Sequence, residues 1–183
     1  VVWLRFCAVA CVMQLALTAP VSAADVTEDL EAQVLQIEQL AYSAAPAVTN
    51  GKIAALEARR AALTVDQRQR LEFVRLRNQG LAGQQREALQ GLVALLKQEL
   101  SPSLRNRAYA SAIHMASNLE NWPQAFGLLE ESQQTGGEPI VESAILSSAA
   151  TYLYASVDEL ERARKMGGYA LQLSRRLGDE PAQ

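Results

Sequence analysis

The only histidine of the chain, His114, is the first residue to consider for chemistry. An imidazole can serve as a general base or as a metal ligand. Ser111 precedes it by three residues on the same expected helix. A hydrolytic site would also need an acid that orients the base. A serine and a histidine at this spacing are common by chance, so the sequence assigns no catalytic residue here.

Carboxylates come mostly as neighbours in sequence, for example Glu130 with Glu131 and Asp158 with Glu159. Adjacent residues of a helix point about 100° apart, so such pairs rarely converge on one ion. With a single histidine in the chain, we expect no metal site and no cofactor in this segment.

Composition and charge restrict the class of protein. Of 183 residues, 49% are hydrophobic and 20% charged, which is typical of a folded chain and excludes general disorder. Aromatic residues make up only 5%, and the abundance of Ala, Leu, Gln, Glu and Arg favours helix. The net charge is −3 and no basic run is long. A nucleic-acid partner, which requires a positive surface, is therefore not expected.

The N-terminus predicts a signal peptide over residues 1–23. Arg5 supplies a thin positive region, Phe6 to Leu17 form a short apolar core, and Pro20 breaks that core before a run of small residues. A dozen apolar residues are too few to span about 30 Å of hydrocarbon, which needs about 20. An uncleaved N-terminal anchor remains the alternative. We expect a periplasmic protein.

Both cysteines, Cys7 and Cys11, lie inside this signal, and neither has the surroundings of a lipoprotein cleavage box. The processed chain would therefore lack cysteine. It could hold no disulfide, no thiolate nucleophile and no cysteine-based zinc site.

Beyond Ala24 the apolar residues recur at helical spacing, with no alternating strand-like run. Residues 24–63 are interpreted as a helical lead-in. It comprises one helix over 25–44 and a second over 52–63, interrupted by Pro46 and Asn50-Gly51.

Further helix starts are indicated by capping patterns. Thr64 with Gln67 forms a capping box, in which each residue can satisfy a free backbone N–H of the other. Three similar starts follow: Ser101 before Pro102, Asn121 with Gln124, and Ser156 with Glu159.

The second helix of each expected pair opens alike. An alanine stands five residues after Gly83, Glu120 and Asp158, at positions 37 and 38 residues apart: Ala88, Ala125 and Ala163. A helix pair repeating at this period is typical of a stacked α-solenoid of antiparallel hairpins. A small residue lets the two helices of a hairpin approach closely. We therefore predict an all-α solenoid, and a helical bundle is the alternative.

Residues 64–183 resemble about three tetratricopeptide repeats. Tyr109 stands at the position of the first-helix aromatic, Trp122 at the opening of the second helix, and Ala125 at the small position. Leu177 to Asp179 is similar to the exit of many such repeats. The usual first-helix glycine is absent, so two alignments of the chain to the repeat, one residue apart, remain open. The resemblance implies that the chain stops before its natural end.

A narrower resemblance concerns a signal peptide, an Ala-rich lead-in, and the segments Leu63 to Leu71 and Gly83 to Leu89. Together they resemble the periplasmic sensor regions of bacterial GGDEF diguanylate cyclases. The resemblance implies a sensing or protein-interaction module, tethered to the inner membrane in the intact protein, whose parent makes cyclic di-GMP. The catalytic motif itself is absent. A free-standing envelope scaffold and a histidine-kinase sensor remain alternatives.

The tetratricopeptide register also implies a binding groove. It places His114 on the concave face, Asn118 one turn further on, and Tyr152 at the matching position of the next repeat. In the preceding repeat the position falls on Arg77, or on Asn78 if the register shifts. The expected partner is a peptide, a protein or a small ligand, with a homodimer also possible. We expect membrane contact only through the signal or a downstream helix. Alternatively, these are ordinary exposed polar residues.

Overall fold

The computed structural model describes residues 23–134 and 141–178, and within these ranges helices joined by turns are the regular structure, without a strand. All but the last residue of the predicted signal peptide lies outside the described residues. Beside one short 3₁₀ turn, Arg60–Ala62, the helices are α1 (Ala23–Leu40), α2 (Pro46–Glu57), α3 (Val65–Leu81), α4 (Gln85–Leu96), α5 (Pro102–Asn118), α6 (Trp122–Gln134), α7 (Val141–Ser156) and α8 (Leu160–Gly178). The all-α prediction is confirmed. None of these described helices is long and apolar enough to cross a bilayer.

Two predicted helix starts are confirmed by their hydrogen bonds. At α3, the Gln67 amide donates to Thr64 Oγ1 (3.2 Å) and the Thr64 amide to Gln67 Oε1 (3.0 Å). At α6, Asn121 Nδ2 donates to Gln124 Oε1 (2.8 Å), and the Gln124 amide donates to Asn121 Oδ1 (3.4 Å). Helix α5 begins with Pro102 as expected, but the Ser101 side chain makes no capping bond.

The predicted lead-in helices have the wrong bounds. Helix α2 starts at Pro46, where the missing N–H costs no hydrogen bond, and continues through Asn50-Gly51. It ends at Glu57 rather than at residue 63. Burial explains the continuation, because Thr49, Ile53 and Leu56 are all nearly inaccessible and share one face of the helix.

The predicted capping box at Ser156 is also wrong. Ser156 is the last residue of α7, and its hydroxyl donates to the Tyr152 carbonyl oxygen (2.8 Å). A serine can bond back to the preceding turn in this way instead of capping a new helix. Helix α8 begins only at Leu160.

The three turns within the helix pairs α3–α4, α5–α6 and α7–α8 share one geometry. Each contains a residue with positive φ: Gly83 (92°), Glu120 (56°) and Asp158 (61°). The amide of the next residue donates to the carbonyl five positions earlier: Gln84 to Gln79 (3.1 Å), Asn121 to Ala116 (2.9 Å) and Glu159 to Tyr154 (2.9 Å). This hydrogen bond to the carbonyl oxygen five residues earlier is typical of a Schellman motif. It pairs a carbonyl group of the last helical turn that has no partner within the helix.

Helix packing uses the three repeated alanines. Ala88 and Ala125 are fully buried and Ala163 nearly so. Helix α3 contacts α4, α5 contacts α6, and α7 contacts α8, while α5 also contacts α3, α4 and α7. At the α3–α4 contact, a Cβ atom at Gly80 would lie 3.6 Å from Ala88 Cβ, so small residues meet there. A continuous apolar core runs from Leu30 to Leu153.

A buried ionic network attaches α1 to α3 and α5. Arg70 Nε donates to Glu38 Oε2 (3.0 Å) and its Nη1 to Glu31 Oε1 (2.6 Å). Arg107 Nη2 lies 2.8 Å from Glu38 Oε1, although the two are not aligned for a hydrogen bond. The side chains of Glu38, Arg70 and Arg107 are only 10–14% exposed. The network thus holds the lead-in against the first helices of the later pairs.

Candidate functional site

Four of the five predicted groove residues come together in the structure. Arg77, His114 and Asn118 line a pocket of about 220 Å³ between α3 and α5, and Tyr152 of α7 contacts two of them. We call these four residues the groove cluster. They come from three helices that are far apart in sequence, so only the tertiary fold could assemble them.

Arg77 supplies the positive charge of the cluster. Its Nη1 donates to the Ala41 carbonyl oxygen, and its guanidinium carbon lies 4.5 Å from the centre of the Tyr42 ring. The contact with the ring face is a favourable cation–π arrangement. Within the described residues, Arg77 forms no ion pair with a carboxylate. The guanidinium is therefore held in position with its charge uncompensated.

Asn118 and Tyr152 are joined by a hydrogen bond of 2.9 Å, from the Tyr152 hydroxyl to Asn118 Oδ1. Because the amide oxygen is engaged, the amide orientation is set. Its Nδ2 donates to none of the side chains or carbonyls described. Asn118 is therefore able to donate to a bound molecule.

His114 lies against Tyr152, with ring centroids 4.9 Å apart and planes tilted by 41°. Burial lowers the pKa of His114 below its usual value, because the charged imidazolium loses hydration there. The ring is therefore neutral at physiological pH, with one nitrogen that donates and one that accepts.

Asn78 is not part of this surface, so the alternative register, in which Asn78 takes the groove position instead of Arg77, is wrong. It is 1% exposed, and its Nδ2 donates to Thr49 Oγ1 (2.6 Å) and to Asn50 Oδ1 (2.9 Å). A buried amide needs such partners, and these bonds tie α3 to α2. Its neighbour Arg77 is the residue that reaches the pocket.

The sequence did not identify the remaining lining of the pocket. Leu81 and Met115 add apolar surface, and Ser111 and Gln85 add polar groups. Ser111 was considered only as a nucleophile. Ser111 lies three residues before His114 and seven before Asn118, so all three share one face of α5. Helical spacing from His114 would therefore have identified Ser111 as a lining residue.

The arrangement does not have the form of a hydrolytic site. Ser111 makes no hydrogen bond to His114 among the described residues, and no described carboxylate pairs with the imidazole. The part of the chain that the structure covers also holds no group of three or more His, Cys, Asp or Glu residues placed to bind a metal. What the cluster can offer is hydrogen bonds, a ring face and one positive charge.

No protein-family model, no curated protein and no solved structure matches this chain.

Proposed function

We propose that this chain is a binding module that recognises a ligand or partner through the groove cluster. One observation carries the proposal: Arg77, His114 and Asn118, from two helices, line one open pocket, and Tyr152 from a third helix contacts two of them. Polar side chains scattered over a helix surface would have no reason to meet in this way. Arg77 and Asn118 also keep donors that no described residue uses.

We also propose that the helices form a tetratricopeptide-like solenoid of antiparallel hairpins. Support comes from the turns, whose positive-φ residues recur 37 and 38 positions apart, in step with the three buried alanines. The contacts of α5 with both α3 and α7 agree with stacking of successive pairs. In such an array the first helices line the concave face, where the groove cluster would lie.

The biological setting that we propose is the periplasmic sensor region of a membrane-bound signalling protein, with a diguanylate cyclase as the first choice. A ligand that contacts α3 and α5 would also alter the support that His114 and Asn118 give to Tyr152 on α7. It would shift the packing of α5 against α7 only if it binds one arrangement more tightly than the other.

The binding proposal is tested by ligand-induced thermal stabilisation. A panel of amino acids, sugars, nucleotides, organic acids and short peptides is screened with the natural chain and with Arg77→Gln/Asn118→Ala. At a ligand concentration of 100 Kd, binding adds about 2.7 kcal/mol of stability. For a chain of this size, that corresponds to a rise in Tm of several degrees.

We expect the double variant to lose this rise and Arg164→Gln to retain it. Arg164 is a suitable control because its side chain is 79% exposed and lies on α8, outside the cluster. Stabilisation that is the same in the double variant and in the natural chain would refute the groove cluster as the binding surface.

The signalling setting has a separate test in the gene itself. Reading beyond the codon for Gln183 should reveal a run of about 20 apolar residues, followed by a GGDEF-type domain. A stop codon after one further helix would contradict a cyclase and favour the free-standing scaffold.

A further inference from the structure

Two polar groups of the Arg77 pocket, the guanidinium of Arg77 and the Nδ2 of Asn118, can only donate hydrogen bonds, whereas Gln85, Ser111 and His114 can each donate and accept. The lining contains one formal charge, the guanidinium of Arg77, and no Asp or Glu. Asn118 presents its Nδ2 because its oxygen accepts from Tyr152. The hydroxyl of Ser111 and an N–H of His114 can donate as well. A pocket with this lining favours a ligand rich in acceptors and negatively charged.

The two main donors are fixed before any ligand arrives. Arg77 is held by the Ala41 carbonyl oxygen and the Tyr42 ring, and Asn118 by the Tyr152 hydroxyl. Fixed donors lose little conformational entropy on binding, so more of the interaction appears as affinity. The planar guanidinium also matches a carboxylate, to which it can donate two parallel hydrogen bonds.

Two other arginines of the same helices, Arg70 of α3 and Arg107 of α5, already lie beside carboxylates. Arg70 is bonded to Glu31 and Glu38, and Arg107 lies 2.8 Å from Glu38. An anion arriving there would have to displace these carboxylates, of which the Glu38 side chain is only 10% exposed. By contrast, Arg77 has no such partner in the described chain. Arg70 and Arg107 are therefore engaged with carboxylates, whereas the charge of Arg77 remains available to an anionic ligand.

The rest of the pocket limits the size and the polarity of the part of the ligand that does not contact the donors. Leu81 and Met115 supply an apolar surface beside the donors, and Gly80 adds no side chain to fill it. A volume of about 220 Å³ lies below the range of about 300–1,000 Å³ of pockets for drug-sized ligands. A compact small molecule fits this space, whereas a folded protein surface does not enter it.

We infer that the Arg77 pocket binds a small organic acid, a carboxylate attached to a short apolar body, with the carboxylate on Arg77 and Asn118 and the body against Leu81 and Met115. This inference rests on the proposed binding function and names its ligand class.

The test is isothermal titration of the protein with benzoate and isovalerate, each paired with its neutral amide, benzamide or isovaleramide. We expect both acids to bind at least tenfold more tightly than their amides. Arg77→Gln should lower the affinity for the acids at least tenfold, and Arg77→Lys, which keeps the charge, should recover part of it. Asn118→Asp, which replaces donors by a negative charge, should lower the affinity further than Asn118→Ala.

Arg164→Gln is the matched control for net charge and should bind within twofold of the natural chain. Each variant is first shown by its Tm and helical circular dichroism to be folded. Equal affinity for acids and amides, acid binding that is insensitive to Arg77, or no binding of either acid at 20 mM would each overturn the inference.

The proposed function can survive that failure. If a neutral sugar or peptide stabilises the natural chain but not Arg77→Gln/Asn118→Ala, the cluster is a binding site for another ligand class and only the organic acid is wrong. If no compound of the panel depends on the cluster, both proposals fall.

Discussion

Two adjacent residues, Arg77 and Asn78, show how one position along a helix decides a side chain's task. Consecutive residues point about 100° apart. Arg77 therefore reaches the pocket, while Asn78 is buried and bonded to Thr49 and Asn50. The repeat spacing could predict both but not choose between them. The choice depends on α2, whose continuation through Asn50 the sequence did not predict.

His114 leads to a prediction about pH at the same scale. Its folded pKa lies below the unfolded value of about 6.5 because burial disfavours the imidazolium. Arg77 of α3 lines the same pocket and Tyr152 of α7 lies against the ring. As the pH falls through 6.5, the unfolded chain gains a proton before the folded chain does. The free energy of unfolding should therefore decrease with falling pH in the window between these two pKa values.

Urea titrations at intervals from pH 7.5 to pH 5 measure this effect, and His114→Gln should flatten the slope in that window. Protonation of Glu31 lowers the stability only at a more acidic pH than this window. Hydrogen bonds from Arg70 and Gln67 hold the pKa of the Glu31 carboxyl in the folded chain below 4.5. An unchanged slope in His114→Gln would show that the buried imidazole is not the group that titrates.

Among the helices, features set by residues close in sequence could be predicted, and features set by tertiary packing could not. The caps at Thr64 and Asn121 were predictable because a capping bond joins residues three apart. The start of α2 was missed because the burial of Thr49 and Ile53 overrides the turn signal of Asn50-Gly51. Local patterns therefore predicted helix content and most helix starts, and failed where tertiary packing decided.

Helix α6 provides a contrast between two positions that are two residues apart. Ala125 is fully buried, so Ala125→Leu should overpack the contact with α5 and lower the free energy of unfolding by about 1–3 kcal/mol. A Cβ atom at Gly127 would meet nothing within 4 Å. Gly127→Ala should therefore raise the free energy of unfolding by about 0.5–1 kcal/mol, since alanine favours helix.

The midpoint of urea denaturation of each variant gives both values. If Ala125→Leu were neutral, the small residue would not be needed for close helix packing, and the structural reason for the alanine period would be lost.

At the scale of the whole molecule, Glu38 connects helices that the sequence could not bring together. It lies 32 residues before Arg70 and 69 residues before Arg107, and no local pattern encodes such pairings. The four residues of the groove cluster could be named in advance, because the tetratricopeptide register assigns equivalent positions to one face. The all-α class followed from the helical spacing of the apolar residues, whereas the ionic attachment of α1 required the three-dimensional structure.

Glu38→Gln tests this attachment with almost no change of shape. Arg70 keeps Glu31, but Arg107 loses its carboxylate and remains a largely buried charge. Removing one partner of a buried pair typically costs about 3–5 kcal/mol, and we expect a loss at the lower end of that range. Urea denaturation measures it, with Glu161→Gln as the control, since the Glu161 side chain is 87% exposed. A loss no larger than that of the control would show that packing alone holds α1.

The three left-handed turn residues have a consequence for how the molecule could be lengthened. Gly83, Glu120 and Asp158 bound two segments of almost equal length, residues 83–119 and 120–157, and at each of the three the backbone leaves one helix and enters the next in the same way. A segment cut from one such residue to the next therefore has matching ends. Inserting a second copy of residues 83–119 before Glu120 would join ends that already fit, and the chain could gain a helix pair without redesign of either junction.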